Sequence, residues 1–477
     1  MKEKKPSALV STIPLLLLIV LLAAVISVFG SDALGGASQI ALLTATAVTI
    51  CLSMVLYKTP WKKFEEAFEA NVKGTTVSLL ILLIIGALAG SWMVSGVVPT
   101  LIYYGIQIIN PSVFLVCACL ICAVVSVMTG SSWTTIATIG IALMGIGKAQ
   151  GFSDGWIAGA IISGAYFGDK ISPLSDTTVL ASSSSNTELF THIKYMMLTT
   201  VPSILFAITI FLIAGFAMGD DVISDVSVYT RGLDETYNIS LWLMIVPLVT
   251  GFLIYKKVPS LITLFVSAMM AGILALIFQP HILLEIAGEG VSGATALFKG
   301  VWSTFFGPTN VETGNAMLND LVATRGMSGM MDTIWLILCA MVFGGSMSAS
   351  QFLHTFLKAV FHRLVKTRAG LVTATALNGI SMNLATGDQY ISIIITAHMF
   401  REEYEKQGYE NRLLSRTCED SATVTSVLVP WNTCGMTQAT VLGVPTLVYL
   451  PYCFFNLISP VTTIVEAIIG WKIKKRK

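Results

Sequence analysis

The chain has 477 residues, of which 55% are hydrophobic and 12% charged, with a formal net charge of +1 and mean hydropathy of +0.79. Soluble domains carry roughly 25% charged residues, so a water-soluble fold is excluded, and a near-zero charge offers no field to hold nucleic acid. The apolar residues fall in runs long enough to cross a ~30 Å hydrocarbon core as helices, which makes the fold class an all-α polytopic membrane protein.

Lys2, Lys4 and Lys5 precede an apolar stretch at 8–29 that ends in Gly30-Ser31-Asp32 without a clear small-x-small cleavage site. It is long for a secretory leader and reads as a retained first helix. Lys and Arg in short loops set orientation. The basic N-terminus lies inside, and a second helix at 38–57 returns the chain inside to Lys58, Lys62 and Lys63. Residues 60–73 read as an amphipathic interfacial connector, 75–98 as a crossing and 101–112 as a link with no charged residue. The apolar stretch 113–147 breaks at Thr129-Gly130-Ser131-Ser132, with flanks short for a crossing, and reads as a re-entrant hairpin with its tip at the break. Residues 156–185 form a crossing interrupted at 168–178, where Pro173 cannot continue a helix and Gly168 weakens it. A helix at 196–218 follows, then an acidic loop at 219–238 with Asp220, Asp221, Asp225, Asp234 and Glu235 against Arg231. Helices at 239–255 and 258–279 bracket Lys256 and Lys257, and 280–330 is Gly-rich and unassigned.

The second half repeats the first in kind. A helix at 331–350 leads to a link at 352–368 carrying Lys358, Arg363, Lys366 and Arg368. The stretch 370–399 breaks at Thr386-Gly387-Asp388, and after a charged loop at 401–412 the stretch 413–444 breaks around Pro430-Trp431-Asn432-Thr433. A last helix and a basic tail at 472–477 close the chain. One link is uncharged and the other basic, so the positive-inside rule puts them on opposite faces and the halves are inverted. The expected architecture is two inverted repeats, each with a re-entrant hairpin and an interrupted transmembrane helix, in about ten crossings plus two hairpins. The boundaries are 1–74 for the N-terminal helices and connector, 75–218 for the first repeat, 219–330 for loop and linking helices, 331–471 for the second repeat, and 472–477 for an inside tail.

Charged residues at mid-membrane each cost ~2.5–3.5 kcal/mol even on the gentler scale, so they mark function. Asp169, Lys170 and Asp176 lie within one interruption together with Ser172, Ser175 and Thr177. Carboxylates, hydroxyls and freed carbonyls suit a hard cation; the plainer alternative is a solvated loop with Lys170 paired to Asp169. The Gly130 break is weak alone, and its value is that its hydroxyls could face the 168–178 interruption. Asn378, Asn383, Thr386 and Asp388 form a third cluster, which could instead be interhelical glue. Adjacent Glu419 and Asp420 repel, as a proton-binding pair requires, or else cap a helix. His192 and His398 sit near helix ends and read as surface or interface groups. Cys117, Cys119 and Cys122 have no nearby partner for a metal and read as packing. No Walker motif, dinucleotide glycine pattern or nucleophile elbow occurs, so the chain reads as a transporter that is not an enzyme and uses no cofactor.

Three strings carry a resemblance: Gly130-Ser131-Ser132-Trp133-Thr134-Thr135; Gly168-Asp169-Lys170-Ile171-Ser172-Pro173-Leu174-Ser175-Asp176-Thr177-Thr178; and Glu419-Asp420 with Pro430-Trp431-Asn432-Thr433-Cys434-Gly435. They resemble the NhaC-type Na+/H+ antiporters over nearly the whole chain. The resemblance implies inverted repeats with re-entrant hairpins, a homodimer in the cell membrane, and elevator-like exchange of Na+ for H+. A related class exchanges malate and protons for sodium and lactate, which makes small organic anions the alternative substrates. On this footing Asp169, Asp176 and Asp388 are the expected Na+ carboxylates. Ser131, Ser132, Thr134, Ser172, Ser175, Thr177, Asn383, Thr386, Asn432 and Thr433 are neutral ligands, Glu419 or Asp420 is proton-linked, and Lys170 is a possible anion contact. The partners are then the two ions and the lipid bilayer, both termini facing the cytoplasm.

Overall fold

A computed structural model of the protein describes residues 6–29, 33, 35–218, 226–361 and 364–475. Lys2, Lys4, Lys5, Gly30, Ser31, Asp32, Asp220, Asp221, Asp225, Arg363 and the last two residues lie outside them. Among the described residues the regular structure is helical, with two isolated bridges, Thr309 to Thr324 and Tyr409 to Lys475.

Helices α1 (Ala8–Phe29) and α2 (Ala37–Tyr57) are apolar around most of their circumference and pack on each other. Helix α3 (Trp61–Val94) has 34 residues, about 51 Å at 1.5 Å per residue. This exceeds the bilayer core, and it corrects the expected separate connector at 60–73. Glu, Lys and Ala are good helix formers and no proline intervenes, so the amphipathic start simply runs on into the crossing. The chain turns at Gly96 (φ 85°) into α4 (Val97–Ile108), so the uncharged link is itself mostly a short helix.

Next come α5 (Pro111–Thr129), α6 (Ser132–Thr135), a π-helical turn (Ile136–Gly140) and α7 (Ile141–Ala149). Gln150 donates back to the Ile109 carbonyl at 2.7 Å, and Phe152 stacks on Phe114 at 5.4 Å, so both ends of this segment meet. The chain folds back on itself with its tip at Gly130, but α5, at 19 residues, is long and apolar enough to cross a membrane, which corrects the expectation that this flank is short for a crossing. Helix α8 (Asp154–Ile171) breaks at Ser172–Ser175 and resumes as α9 (Asp176–Ser184), followed by α10 (Leu189–Met218).

The middle of the chain holds α11 (Val226–Thr236), α12 (Ile245–Tyr255), α13 (Ser260–Phe278), α14 (Pro280–Ala287), α15 (Gly293–Phe306) and α16 (Ala316–Val322). The unassigned 280–330 region is therefore largely helical, α14 packing on α15. Helices α17 (Met331–Ala349) and α18 (Phe352–Phe361) lead to a second hairpin, α19 (Arg368–Thr386) and α20 (Gln389–Lys406). Gln407 donates to the Val365 carbonyl at 2.5 Å and closes its base. Helix α21 (Asn411–Cys418) runs through a π-helical turn (Glu419–Thr423) to a break at 429–432. Then come α22 (Thr433–Leu442), α23 (Thr446–Tyr449) and α24 (Phe454–Ile469).

Among the described residues seven helices are long and apolar enough to cross a membrane, or up to nine if each bent pair is one span. The protein is a polytopic helical membrane protein.

Glycine sets the key packing. A Cβ at Gly164 would stand 2.0 Å from the Cys119 carbonyl oxygen, and one at Gly168 would stand 2.3 Å from that of Ala123. Only hydrogen fits there, which lets the α5 and α8 backbones touch. The pairs 119/164 and 123/168 advance together, so α5 and α8 run parallel and the hairpin tip reaches the depth of the α8 break.

The halves also interlock. Val424, Val427, Cys434, Ala439 and Tyr449 join the apolar core built mainly by the first half, and α22 packs on the π turn of the first hairpin. Reciprocally, α9 packs on α20, with Ala181 clustered with Ile393 and Ala422.

Overpacking a tight contact costs ~1–3 kcal/mol. Gly164→Val should lower the thermal midpoint of the detergent-purified protein, whereas Gly251→Ala, with no heavy atom within 4 Å of its Cβ, should not.

Candidate functional site

The first hairpin ends because Gly130 adopts φ 66°, a left-handed cap that L side chains avoid. Ser131 then caps the return helix, accepting from the Thr134 N–H at 3.2 Å. The half-built turn is clasped by Thr129, whose hydroxyl donates to the Ser131 carbonyl and accepts from the Ser131 N–H, both at 3.1 Å. A Cβ at Gly130 would stand 2.7 Å from Leu174, so the tip seats directly on the α8 break. There Ser132 donates twice to one oxygen of Asp169, through its N–H at 3.1 Å and its hydroxyl at 2.7 Å. Ser172 donates to the Val127 carbonyl at 2.8 Å, and Ser175 and Thr177 share a hydrogen bond at 2.9 Å. Asp169 is buried; Asp176, at the start of α9, is exposed.

The second hairpin is built the same way. Gly387 has φ 66°, and Asp388 caps α20, accepting from the Ile391 N–H at 2.9 Å. Thr386 clasps the turn as Thr129 does, donating to the Asp388 carbonyl at 3.2 Å and accepting from its N–H at 3.3 Å. The break comes to the tip: Thr433 donates its N–H to the Gly387 carbonyl at 2.8 Å, and its hydroxyl lies 3.5 Å from an Asp388 carboxylate oxygen. Asn383 donates to the Ala422 carbonyl at 2.6 Å and to the Thr425 hydroxyl at 3.1 Å, and its amide oxygen accepts from Asn432 at 3.3 Å.

A constant register of 257 residues relates the two. The helix starts at 111 and 368, the tips Gly130 and Gly387, the caps Ser131 and Asp388, and the base clasps Gln150 and Gln407 all obey it. So do the breaks at Pro173 and Pro430 and their caps Ser175 and Asn432. Even the cross-bond from Ser126 to the Ala165 carbonyl recurs as Asn383 to Ala422. The acids do not recur: Asp388 stands where the first unit has Ser131, and Asp169 where the second has Ser426. The structure thus brings a tip and a break together in each half, and Tyr390 lies within electrostatic reach of Asp169, Asp176 and Asp388 alike. Of the other expected ligands, Thr134 is buried against Ser131 at 3.2 Å, and Ser131 is half-buried.

A second cluster was only partly foreseen. Lys170 does not pair with Asp169. Its ammonium donates to Asp420, 250 positions along the chain, and to the Ser459 hydroxyl at 3.0 Å. The same Asp420 oxygen accepts from Thr199 at 3.1 Å. Arg416 donates to Glu466 at 2.7 Å, with its Nε 3.9 Å from the other Asp420 oxygen. Lys170, Arg416 and Asp420 have no exposed surface. Glu419 stands at the C-terminal cap of α21 through its backbone, its N–H donating to the Arg416 and Ser415 carbonyls, and both acids lie in the π-helical turn that extends α21, at no α-helix N-terminus. His192, read as a surface or interface group, is not at the surface: it is fully buried, with Nδ1 2.8 Å from the Ser415 hydroxyl. It sits on α10 where that helix packs on α21, a partner that local sequence does not reveal. His398 is exposed, as expected. A cavity of about 800 Å³ opens elsewhere, at the base of the first hairpin, lined among others by Met144, Lys148, Asp320, Arg325 and Leu442. None of the expected ion ligands lines it.

Buried acids at the tips and breaks of a multi-span helical protein define a membrane protein with a polar centre held inside its own fold. A sequence profile of the Na+/H+ antiporter family matches residues 6–183 and 164–471. The chain is 34% identical over 425 residues to the Na(+)/H(+) antiporter NhaC of Bacillus subtilis (strain 168), covering 89% of this chain and 90% of the relative. It is 35% identical over 417 residues to the NhaC of Alkalihalophilus pseudofirmus (strain ATCC BAA-2126 / JCM 17055 / OF4), 87% of each. It is 33% identical over 435 residues to the Malate-2H(+)/Na(+)-lactate antiporter of Bacillus subtilis (strain 168), 91% of this chain and 89% of that one. The chain belongs to the Na+/H+ antiporter family.

Removing one partner of a buried ion pair costs ~3–5 kcal/mol, while replacing both with apolar groups is near neutral. Arg416→Met should therefore lower the thermal midpoint in detergent strongly, and Arg416→Met combined with Glu466→Leu should recover most of the loss. A double variant as unstable as the single one would show the pair is not the source.

Proposed function

We propose that the protein is a secondary active antiporter that exchanges Na+ for H+ across the cell membrane by alternating access. The observation that carries this reading is the seating of a hairpin tip on a helix break in each half, with Asp169 and Asp388 buried at the two junctions. A hard cation takes several oxygens, and hydroxyls and amide oxygens of Ser132, Ser172, Ser175, Thr177, Asn383, Thr386, Asn432 and Thr433 lie beside the acids or on the same turns. Asp176 faces the exposed side of its break, where an arriving cation meets it first. Ionised carboxylates bind Na+ and protonated ones do not, so competition for the same oxygens makes the transport an exchange.

The two units, 75–218 and 331–471, are inverted relative to each other. The support is the uncharged link before the first hairpin against the link with Lys358, Arg363, Lys366 and Arg368 before the second. Both termini then face the cytoplasm, and the protein works as a homodimer. A second reading, coupled exchange of small organic anions, draws on the malate and lactate relative. Lys170 would be its anion contact only after release from Asp420.

In proteoliposomes with an internal pH dye, a sodium gradient should drive proton movement, and neither malate nor lactate should be needed. Asp169→Asn, Asp176→Asn and Asp388→Asn should each abolish it. Sodium-driven proton movement that persists in all three would remove these acids from the site, and strict dependence on malate or lactate would favour the second reading.

A further inference from the structure

The 257-residue register pairs two aromatics that the junctions leave unused. Trp133 stands two residues past the cap Ser131 at the first tip, and Tyr390 two residues past the cap Asp388 at the second. Both are half-buried, each at the start of the arm that returns from its tip. Those arms pack on the opposite half. The second arm, α20, packs on α9, the helix beyond the first break; the π turn and α7 of the first arm pack on α22, the helix beyond the second break. In the register α20 matches 132–149 and α9 matches the start of α22, so the two contacts are one contact made twice. The aromatics lie at its near end. Tyr390 is within electrostatic reach of Asp176, the first residue of α9, and of Asp169. Trp133 lies beside the thiol of Cys434, the second residue of α22. Each tip thus sends a ring across to the break of the other half. Cys434 is itself part of the second junction: its N–H donates to Asn432 at 3.0 Å, and its thiol donates to the amide of Gln389, next to Asp388.

From this crossing we infer that Trp133 and Tyr390 are positioning residues that couple the two cation junctions, so that Na+ at one raises the affinity of the other. The inference rests on reading both junctions as cation sites and deepens it. A cation held by Asp169 draws the first tip onto its break and fixes Trp133 against Cys434, at the second junction. A cation held by Asp388 fixes Tyr390 beside Asp169 and Asp176, at the first. Ordering each crossed contact has a cost, and the first cation meets it for both, so the second finds its site already formed. Tyr and Trp suit the task, because they give a large rigid contact for two side-chain torsions. The coupling is reciprocal, as any linkage between two binding sites must be. Rings that merely filled space would leave the two junctions independent.

The test reads sodium alone. In proteoliposomes, the initial rate of 22Na+/Na+ exchange by the unaltered protein should rise sigmoidally with Na+, with a Hill coefficient above about 1 and no more than about 2, the number of junctions. Trp133→Ala and Tyr390→Ala should each give a hyperbolic curve, with half-saturation raised about fivefold or more and the maximal rate kept. Trp133→Phe and Tyr390→Phe keep a ring and should keep the sigmoid. A residue that only stabilises the fold would lower the maximal rate and leave the shape of the curve alone. Size-exclusion profiles and thermal midpoints in detergent verify that the variants fold. A hyperbolic curve for the unaltered protein overturns the inference, as does an unchanged sigmoid in the well-folded alanine variants. Sodium exchange without sodium-driven proton movement would instead sink the antiport reading and leave the coupling standing.

Discussion

A helix unwound at the depth of a bilayer leaves N–H and C=O groups that no solvent can satisfy. Everything else in this protein follows from how that demand is met. Each break is covered by the tip of a hairpin, and the contacts are made by the residues that interrupt the helices. Thr433 gives its N–H to Gly387, Ser172 its hydroxyl to Val127, and Ser132 both its donors to Asp169. The glycine-lined contact between α5 and α8 sets the tip at the right depth, and the glutamine clasps hold each hairpin base shut. The polar centre is thus a product of backbone satisfaction first, with ion chemistry built on it.

The two junctions share a frame but not a charge pattern. In one the acid lies on the broken helix and the tip supplies hydroxyls; in the other the acid caps the tip and the break supplies a hydroxyl and amides. The frame is kept by positions that need glycine, proline or a capping side chain, and these constraints do not depend on sign. The acids are free to differ because a cap position accepts Ser, Asp or Asn with similar ease. This explains how a strict 257-residue register coexists with unlike chemistry at matching positions.

Much of this was legible in the chain. Gly130, Pro173, Gly387 and Pro430 announce the breaks, since each residue type has a backbone reason to stand where a helix stops. The acids beside them were legible because charge in an apolar run is costly. What stayed hidden was long-range. Nothing local says that Lys170 pairs with Asp420 and not with adjacent Asp169, or that His192 is covered by α21. The register does have a signal in the sequence: Gln-Gly at 150–151 and 407–408, with Thr-Gly at 129–130 and 386–387, are equally spaced. Charged residues misled at 60–73, where Lys and Glu suggested a boundary that helix propensity erased.

The reciprocal packing of α9 on α20 and of α22 on the first hairpin also fixes an order of assembly. A ribosome releases the first half long before residues 389–442 exist, so α9 enters the membrane without the surface that covers Ala181, and the first hairpin without α22 against its π turn. Those two faces of the first half therefore stay open until the second half is made. Its own junction of Ser132 on Asp169 needs only first-half residues, whereas these two faces are covered only when the second half packs on them.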